Sequence, residues 1–266
     1  MKNKFLIFII IVAIVIVIST MMINNNKTVQ TTSASTSLSN KKIGWGLKRS
    51  ANHEQPEIGN YLKVLNNFNG YGIGNKEKKY VYLTFDEGYE AGYTEQILNI
   101  LKANDVKATF FITAHYLNSQ TDLVKRMIQE GHIVGNHTVN HYSMPDIDDE
   151  KIRTEITELH AAVFNKTGYE MKYLRPPKGE FSERTLDITK KLGYTTVMWS
   201  FAYDDWDENN QKGEEYAKEK IISNIHPGCI ILLHGNSKDN TNVLDYCIKE
   251  IKNMGYQFKS LDEFER

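Results

Sequence analysis

The chain has 266 residues and a formal net charge of −1 at pH 7, with 32 basic and 33 acidic side chains. This length suits one α/β domain of barrel size or two small domains, and the mixed charge gives no support for a nucleic-acid partner, which needs a concentrated basic surface. Two cysteines, Cys229 and Cys247, are too few for a disulfide framework. We interpret both as small buried apolar residues, and a single bridge between them stays open.

The N-terminus carries an unbroken apolar run over residues 5–18, which Ser19 and Thr20 extend to Ile23. This run approaches the roughly 20 residues that a membrane-spanning helix needs. Because Lys2 and Lys4 precede it, we expect the N-terminus in the cytoplasm and the remainder outside. We therefore predict an uncleaved transmembrane signal-anchor over residues 1–23. A cleaved signal peptide with secretion is the alternative, although no Ala-x-Ala cleavage site follows the run.

The next two segments differ from the anchor in composition. Residues 24–43 are rich in Asn, Thr and Ser and have few side chains to bury, so they are typical of a flexible linker. Residues 44–79 contain enough apolar side chains to pack against a core. We predict that they form an N-terminal arm lying on the domain that follows, residues 80–266.

Strand and helix patterns alternate from Tyr80 onward, which is the signature of a parallel α/β architecture. About seven strand–helix units favour a barrel slightly smaller than the usual eight-stranded one, with an open doubly wound sheet as the alternative. No Gly-rich phosphate loop follows any predicted strand, so nucleotide binding has little support. The predicted strands cover residues 80–86, 108–113, 132–137, 173–176, 195–201, 229–234 and 257–261, and the predicted helices 94–104, 122–130, 148–166, 182–192, 214–224 and 242–254.

Charged side chains and imidazoles follow the predicted strands at the ends where parallel α/β folds place active sites. Taken alone, Asp86-Glu87-Gly88 is equally typical of a plain turn. The other strand ends favour a site, because a barrel brings them onto one rim. They carry, in chain order, His137, Arg175, the stretch Asp204-Asp205-Trp206, and His234.

The spacing of His137 and His141 is the strongest metal signal in the chain. Two imidazoles four residues apart lie on one face of a helical turn and reach one ion, with a carboxylate as third ligand. Alone, such a pair is more often incidental, but here it lies beside acids and a third strand-end histidine. Oxygen and nitrogen ligands without a thiolate suit Zn²⁺, Co²⁺, Mn²⁺ or Ni²⁺.

The remaining rim residues have structural and functional interpretations. Arg175 is expected to keep a nearby carboxylate ionised, or to form a plain structural ion pair. His234 is either a core histidine or a general acid held protonated by Asp205. Trp206 adjoins the charged rim and is a candidate for lining a sugar pocket. Four other histidines lack such neighbours and are interpreted as structural or surface residues: His115, His132, His160 and His226.

Several spaced motifs together resemble those of the NodB-type polysaccharide deacetylases, carbohydrate esterase family 4. They are TFDEG, HTVNH, RPPKG, the DDW after WSFAY, and LLH, and they span the chain from about Tyr80 to its C-terminus. The resemblance implies a distorted (β/α)7 barrel over residues 80–266 and metal-dependent removal of N-acetyl groups from glycans. The segments GWGLKRSANHEQPE and NNQKG are similar to the muramic-acid deacetylases of spore-forming bacteria. This implies action on peptidoglycan during formation of the muramic δ-lactam of the spore cortex.

The resemblance also implies a role for each matching residue. Asp86 resembles the catalytic base, His137 and His141 the metal ligands, and Arg175 the residue that orients the base. His234 resembles the general acid and Asp205 its partner. The implied reaction is a hydrolysis in which Asp86 deprotonates the attacking water and His234 protonates the leaving amine. The implied cofactor is a divalent ion, with Zn²⁺ first. The candidate substrate-binding residues are Trp206, Pro177 and Tyr89.

Two positions depart from the family pattern. Glu87 stands where most members have a second Asp that binds the metal and where the muramic-acid group tends to have Asn. We retain Glu87 as a candidate metal ligand. Ala202 stands where the family often has Asp. The alternatives are a deacetylase of N-acetylglucosamine in peptidoglycan or chitin-like oligomers, and an inactive membrane-anchored protein that binds wall glycan.

Overall fold

The computed structural model describes residues 38–266, so the predicted signal-anchor and most of the predicted linker, over residues 1–37, lie outside the described residues. Residues Leu38–Arg266 form one compact unit. Within this range, none of the helices has both the length and the apolar character that crossing a membrane requires. Cys229 and Cys247 are both free and buried, so the bridge left open by the sequence is absent from this part of the chain.

A seven-stranded parallel sheet forms the centre of the described domain. Its spatial order is β7-β5-β4-β3-β2-β8, and β9 pairs with the start of β2. A single parallel bridge between Phe201 and Ile231 links the segment after β7 to β8. The strands are β2 Tyr80–Glu87, β3 Thr109–Ile112, β4 Ile133–Asn136, β5 Tyr173–Leu174, β7 Thr195–Thr196, β8 Cys229–His234 and β9 Gln257–Phe258.

Strands β2 and β8 are the two longest strands of the sheet, and both are mostly apolar and buried along nearly their whole length. Their register makes Asp86 the direct neighbour of His234. On the other side, Asp86 is the partner of Phe111 in β3. Because all the strands are parallel, the polar residues that end them meet at one edge of the sheet.

Helices connect the strands and cover the outer surface of the sheet, where their apolar faces join the main core. Side chains mark their ends: Ser182 and Thr185 form a capping box, and Gly168 ends the longest helix at φ 73°. The helices are α2 Thr94–Ala103, α3 Ala114–Ser119, α4 Thr121–Gln129, α5 Asp149–Thr167, α6 Glu183–Lys191, α7 Glu214–Ser223 and α8 Lys238–Asn253.

The segment before β2 packs against the sheet domain. It contains β1 Ile43–Gly44, which pairs antiparallel with β6 Glu180–Phe181, and helix α1 Asn60–Asn67. The indole of Trp45 donates a hydrogen bond to the carbonyl of Trp199 over 2.8 Å. Trp45 also packs against Phe181.

The architecture is a parallel α/β half-barrel, so the predicted strand–helix alternation is confirmed at this level. Several elements differ from the sequence prediction, among them a strand and a helix. Strand β7 is only two residues long, whereas the apolar pattern extended to Phe201. Helix α3 was not predicted; it forms because Thr113 caps it and because Tyr116 and Leu117 are buried in the core.

Candidate active site

Asp86 at the end of β2 forms a buried ion pair with Arg175, which directly follows β5. Arg175 Nη1 lies 2.7 Å from Asp86 Oδ1, and the arginine side chain is completely buried. The guanidinium lies 4.2 Å from the ring centre of Phe111. Burial alone would raise the pKa of Asp86, but Arg175 and the neighbouring histidines outweigh it and hold the pKa below its ordinary value. Asp86 is therefore a carboxylate with one oxygen fixed by the guanidinium.

His137 and His141 bring their Nε2 atoms to within 3.1 Å of each other. His137 Nδ1 lies 2.8 Å from the carbonyl oxygen of Arg175, so that nitrogen carries the proton and donates it. The Nε2 atom of His137 therefore presents a lone pair towards His141. Asp86 Oδ2, the oxygen that Arg175 leaves free, lies 3.5 Å from the same Nε2 atom.

Both imidazoles are held neutral by their surroundings. Burial lowers the pKa of His137, and burial together with His137 lowers the pKa of His141 to about 4. Thr138 and His141 both adopt positive φ, at 67° and 58°. This strained backbone turns the segment back on itself and brings the second imidazole to the first.

His234 at the end of β8 forms the third part of the site. Its Nδ1 lies 2.7 Å from Asp205 Oδ1, and its backbone N–H donates to Asp205 Oδ2 over 2.9 Å. Asn240 also donates to Asp205, so the carboxylate is fixed by three hydrogen bonds. Burial alone would lower the pKa of His234, but Asp205 outweighs it and raises the pKa above its ordinary value. With Nδ1 engaged, Nε2 is the atom left to act in the cleft.

Glu87 lies elsewhere. Its side chain is buried, and neither carboxyl oxygen has a hydrogen-bond partner among the described residues. A Cβ atom placed on Gly235 would lie 2.1 Å from Glu87 Oε1, so the carboxyl group is pressed against this glycine. Burial, followed by the charges of Glu90 and Asp86, raises the pKa of Glu87 well above its ordinary value. The structure therefore does not bring Glu87 together with the two imidazoles.

The cleft above these groups has two lobes that share four side chains besides Trp206: Asp86, His137, His141 and His234. The lobes have volumes of about 680 and 820 Å³. Trp206 is 59% exposed and lines both lobes, and Tyr89 lines the first. Pro177 is buried, whereas its neighbours Lys178 and Gly179 line the second lobe. The lobes are large enough to hold sugar units.

Sequence reasoning missed several residues of the cleft. Arg49 lines the second lobe although it lies in the N-terminal arm, and His115 lines the first although it was interpreted as structural or surface. Lys178 lies within the RPPKG motif, whose position beside Arg175 was the one available signal for it. The other three histidines interpreted as structural or surface residues are not among the residues that line the cleft: His132, His160 and His226.

The donor set fits a divalent metal ion in part. Among residues 38–266 no group of three or more His, Cys, Asp or Glu side chains forms a complete metal cluster. However, a metal needs unprotonated imidazoles, and His137 and His141 are neutral with converging Nε2 atoms. The 3.1 Å contact joins the two nitrogen atoms that would bind a cation. Asp86 Oδ2 is the nearest carboxylate oxygen to His137 Nε2 in the site.

Comparison with known proteins gives a family match. Residues 73–197 match the polysaccharide deacetylase family. The chain is 45% identical over 229 residues to the peptidoglycan-N-acetylmuramic acid deacetylase PdaA of Bacillus subtilis, covering 85% of this chain and 87% of that protein. An uncharacterized 30.6 kDa protein of Geobacillus stearothermophilus is 50% identical, over 86% of this chain and 87% of that protein.

Two solved structures share the fold over the same part of the chain. The structure of Bacillus subtilis PdaA, a family 4 carbohydrate esterase, gives a TM-score of 0.83 and covers 85% of this chain and 98% of its own. A family 4 carbohydrate esterase from Bacillus anthracis, 42% identical, gives a TM-score of 0.72 and covers 85% and 97% of the two chains.

Proposed function

The chain belongs to the polysaccharide deacetylase family, and we propose that it hydrolyses the N-acetyl group of N-acetylmuramic acid residues in peptidoglycan. The observation that carries this proposal is the meeting of two differently charged groups at one edge of the sheet. Asp86 is paired with a guanidinium and ionised, whereas His234 is paired with a carboxylate and favoured as the protonated form. Neighbouring groups whose pKa values are moved in these directions suit a base and an acid of one reaction.

Asp86 is the base in this proposal. Arg175 fixes Oδ1, so Oδ2 is free to accept a proton from a water molecule in the cleft. The low pKa keeps the carboxylate ionised at neutral pH. Arg175 is itself fixed, because its Nε donates to the carbonyl of Val197 over 3.2 Å. The base therefore keeps one orientation when substrate enters.

His234 is the acid. Once water has attacked the acetamide carbonyl, the C–N bond breaks only if the nitrogen receives a proton, because an unprotonated amine anion is a poor leaving group. The Asp205 carboxylate holds the Nδ1–H, so the proton that His234 delivers is carried by Nε2. The register between β2 and β8 pairs His234 with Asp86, so the acid lies beside the base.

Deacetylases of this family depend on a metal ion in general, and we propose that His137 and His141 hold it beside the catalytic base Asp86. When bound, a divalent ion supplies a positive charge that polarises the acetyl carbonyl and makes the attacking water more acidic. Zn²⁺ suits two imidazoles best, and Co²⁺, Mn²⁺ or Ni²⁺ also suit them. Glu87 as a further ligand is an open part of the proposal, since its carboxyl group lies on the Gly235 side.

The substrate side of the proposal rests on the walls of the cleft. Trp206 and Tyr89 are exposed aromatic rings that both line the first lobe, and flat rings of this kind stack on the apolar faces of sugars. Asn236 connects them, since its amide donates to Tyr89 Oη over 3.2 Å and to the Trp206 carbonyl over 2.9 Å. Pro177 is buried next to Lys178 and Gly179, so it would shape the second lobe through these neighbours.

We also propose a location and a biological context. The apolar run over residues 5–23 would anchor the protein in the membrane, with residues 24–43 as linker, residues 44–79 as arm and residues 80–266 as the catalytic domain facing the cell wall. The GWGLKRSANHEQPE and NNQKG segments support a role on the route to the muramic δ-lactam of spore cortex.

The experiment is an assay of acetate release by the purified full-length protein. The substrate is peptidoglycan glycan from which the stem peptides have been removed, and Zn²⁺ or Co²⁺ is added after chelation. We expect acetate release with metal and none after chelation. Mass spectrometry of the products then shows which of the two sugars has become lighter by about 42 mass units, which is the change when hydrogen replaces one acetyl group. Loss from N-acetylglucosamine alone would favour the alternative substrate, and no loss from either sugar would refute the hydrolase.

A further inference from the structure

The second lobe of the cleft, on the side of Trp206 away from Tyr89, carries two cationic side chains. Arg49 and Lys178 both line it, and both are exposed. Neither forms an ion pair with an acidic side chain of the described chain within 4.0 Å. Two acids also line this lobe: Asp86, which is engaged by Arg175, and Asp204, which is exposed. The lobe therefore offers two cations that no carboxylate neutralises by direct contact.

Lys178 is held in the lobe by an unusual backbone. Its φ is 60° and its ψ 7°, in the left-handed region that a lysine rarely adopts. The next residue, Gly179, packs closely on the Trp199 ring, because a Cβ on Gly179 would lie only 2.7 Å from that ring. Gly179 is also fixed by its carbonyl, which accepts a hydrogen bond from Trp45 N over 2.8 Å. Glycine or asparagine would fit the turn with less strain, so the presence of lysine points to a use for its cationic side chain.

Arg49 reaches the lobe from the N-terminal arm. Two backbone hydrogen bonds between Lys48 and Glu57, of 2.8 and 3.0 Å, fix the arm just before it. Arg49 Nη2 donates to the carbonyl of Ala202 over 2.7 Å, and the guanidinium lies 5.8 Å from the ring centre of Phe201. One N–H group of Arg49 Nη2 is thus used to position the guanidinium, and its other N–H groups are free to donate to an anion.

N-acetylmuramic acid differs from N-acetylglucosamine by one group, a lactyl ether on the neighbouring carbon 3 that ends in a carboxylate. Building on the proposed function, we propose that Lys178 and Arg49 bind this lactyl carboxylate and thereby select N-acetylmuramic acid over N-acetylglucosamine. When a stem peptide is attached, the same carboxylate becomes a neutral amide and loses its charge. The two cations therefore favour sugars whose lactyl group is free, because a charged acceptor forms stronger hydrogen bonds than an amide.

The test compares two substrates that differ only in this charge. One is a glycan of alternating N-acetylglucosamine and N-acetylmuramic acid with free lactyl carboxylates, and the other is the same glycan after conversion of each carboxylate to its methylamide. Full-length wild type, Lys178→Gln and Arg49→Gln are assayed on both for acetate release. Lys63→Gln, an exposed lysine of α1 away from the cleft, is the matched control.

We expect wild type and Lys63→Gln to prefer the free carboxylate by about 5- to 20-fold in kcat/KM, mainly through KM. Lys178→Gln and Arg49→Gln should each reduce this ratio towards one, by losing rate on the acid and not on the amide. Equal kcat/KM on both substrates for active wild type would overturn the inference and leave the proposed function standing. An unchanged ratio in both variants would overturn it as well.

A binding measurement separates failure of this inference from failure of the proposed function. Calorimetric titration of the two glycans into the Asp86→Asn protein, with and without Lys178→Gln, reports recognition in the absence of turnover. Selective binding of the free carboxylate that Lys178→Gln abolishes supports the inference even if wild type releases no acetate. Equal binding of both glycans refutes it.

Discussion

Arg175 Nη1 lies 2.7 Å from Asp86 Oδ1, while the carbonyl of the same arginine lies 2.8 Å from His137 Nδ1. One residue therefore orients the proposed base with its side chain and a proposed metal ligand with its backbone. Both the guanidinium and the carboxylate are buried, so each depends on the other for its charge. This relationship determines what substitutions in the site should do.

Asp86→Asn should abolish catalysis while the fold survives. The amide oxygen still accepts from Arg175, but it cannot take a proton from water, and loss of a general base costs about 10²- to 10⁴-fold. Acetate release measures the loss, and thermal melting followed by circular dichroism checks the fold. Turnover within tenfold of wild type would remove Asp86 from the mechanism.

Asp205→Asn should move the alkaline limb of the pH–rate profile to lower pH. His234 must be protonated to act as an acid, and Asp205 is what raises its pKa above the ordinary value. Activity should therefore be present at low pH and fall as pH rises through the pKa of His234, earlier in the variant than in wild type. The profile of kcat/KM between about pH 5 and 10 measures this, given an ordinary histidine pKa near 6.5. An unshifted limb would contradict the assignment.

Zn²⁺ binding should stay strong at mildly acidic pH. The pKa of His141 is lowered to about 4, so protons should compete with the metal only when pH falls below about 5, whereas an ordinary histidine pair competes near 6.5. Calorimetric titration of Zn²⁺ at several pH values measures this. His141→Ala should weaken binding at every pH. Affinity that already falls steeply between about pH 7 and 6 would show that the imidazoles are not held neutral.

Glu87→Gln should leave Zn²⁺ affinity nearly unchanged, because the structure places the carboxyl group against Gly235. The pKa of Glu87 is raised in the folded protein, so folding binds a proton and stability falls as pH rises above the unfolded pKa. The neutral amide avoids this loss, so urea unfolding should show equal stability near the unfolded pKa, about pH 4, and a variant increasingly more stable than wild type as the pH rises to about 9. A more than tenfold weaker Zn²⁺ affinity would instead establish Glu87 as a ligand.

Gly228→Ala should destabilise the domain more than Gly168→Ala. Both glycines have positive φ, at 69° and 73°, so alanine is strained at each by about 1 kcal/mol. At Gly228 the added Cβ would also lie 2.4 Å from the backbone of Gly74, whereas at Gly168 nothing lies within 4 Å. We expect a total loss of about 2–4 kcal/mol for Gly228→Ala, measured by urea unfolding. Equal losses in the two variants would contradict this packing.

Much of the fold follows from local sequence. The predicted bounds of β8 agree with the structure because an apolar run stands between a Pro-Gly turn and a histidine. Helix α8 begins at Lys238, four residues before its prediction, because the Ser237 cap outweighs the weak helix propensity of Asp239 and Asn240. Strand β7 is shorter than predicted because the length of a strand depends on its pairing with neighbouring strands, which the apolar pattern alone does not give.

The site residues that directly follow strands could be predicted from the sequence. Asp86, His137, Arg175 and His234 meet because parallel strands share one edge. Arg49 could not be assigned, because its place beside Ala202 depends on how the arm folds back over about 150 intervening residues. The placement of the Glu87 carboxyl group against Gly235 depends on the side chains around it, and the order of residues does not encode that directly.

The contacts of the N-terminal arm, residues 44–79, determine how far the protein can be truncated without altering the cleft. The family match begins at residue 73, but Trp45 and Arg49 lie before it. A protein that began at residue 73 would keep Asp86, His137, Arg175 and His234, yet Gly179 would lose its hydrogen-bond partner Trp45 and the second lobe would lose the cation Arg49. Such a fragment would misreport substrate choice even if it kept some hydrolytic activity, so a minimal catalytic fragment should begin near residue 38.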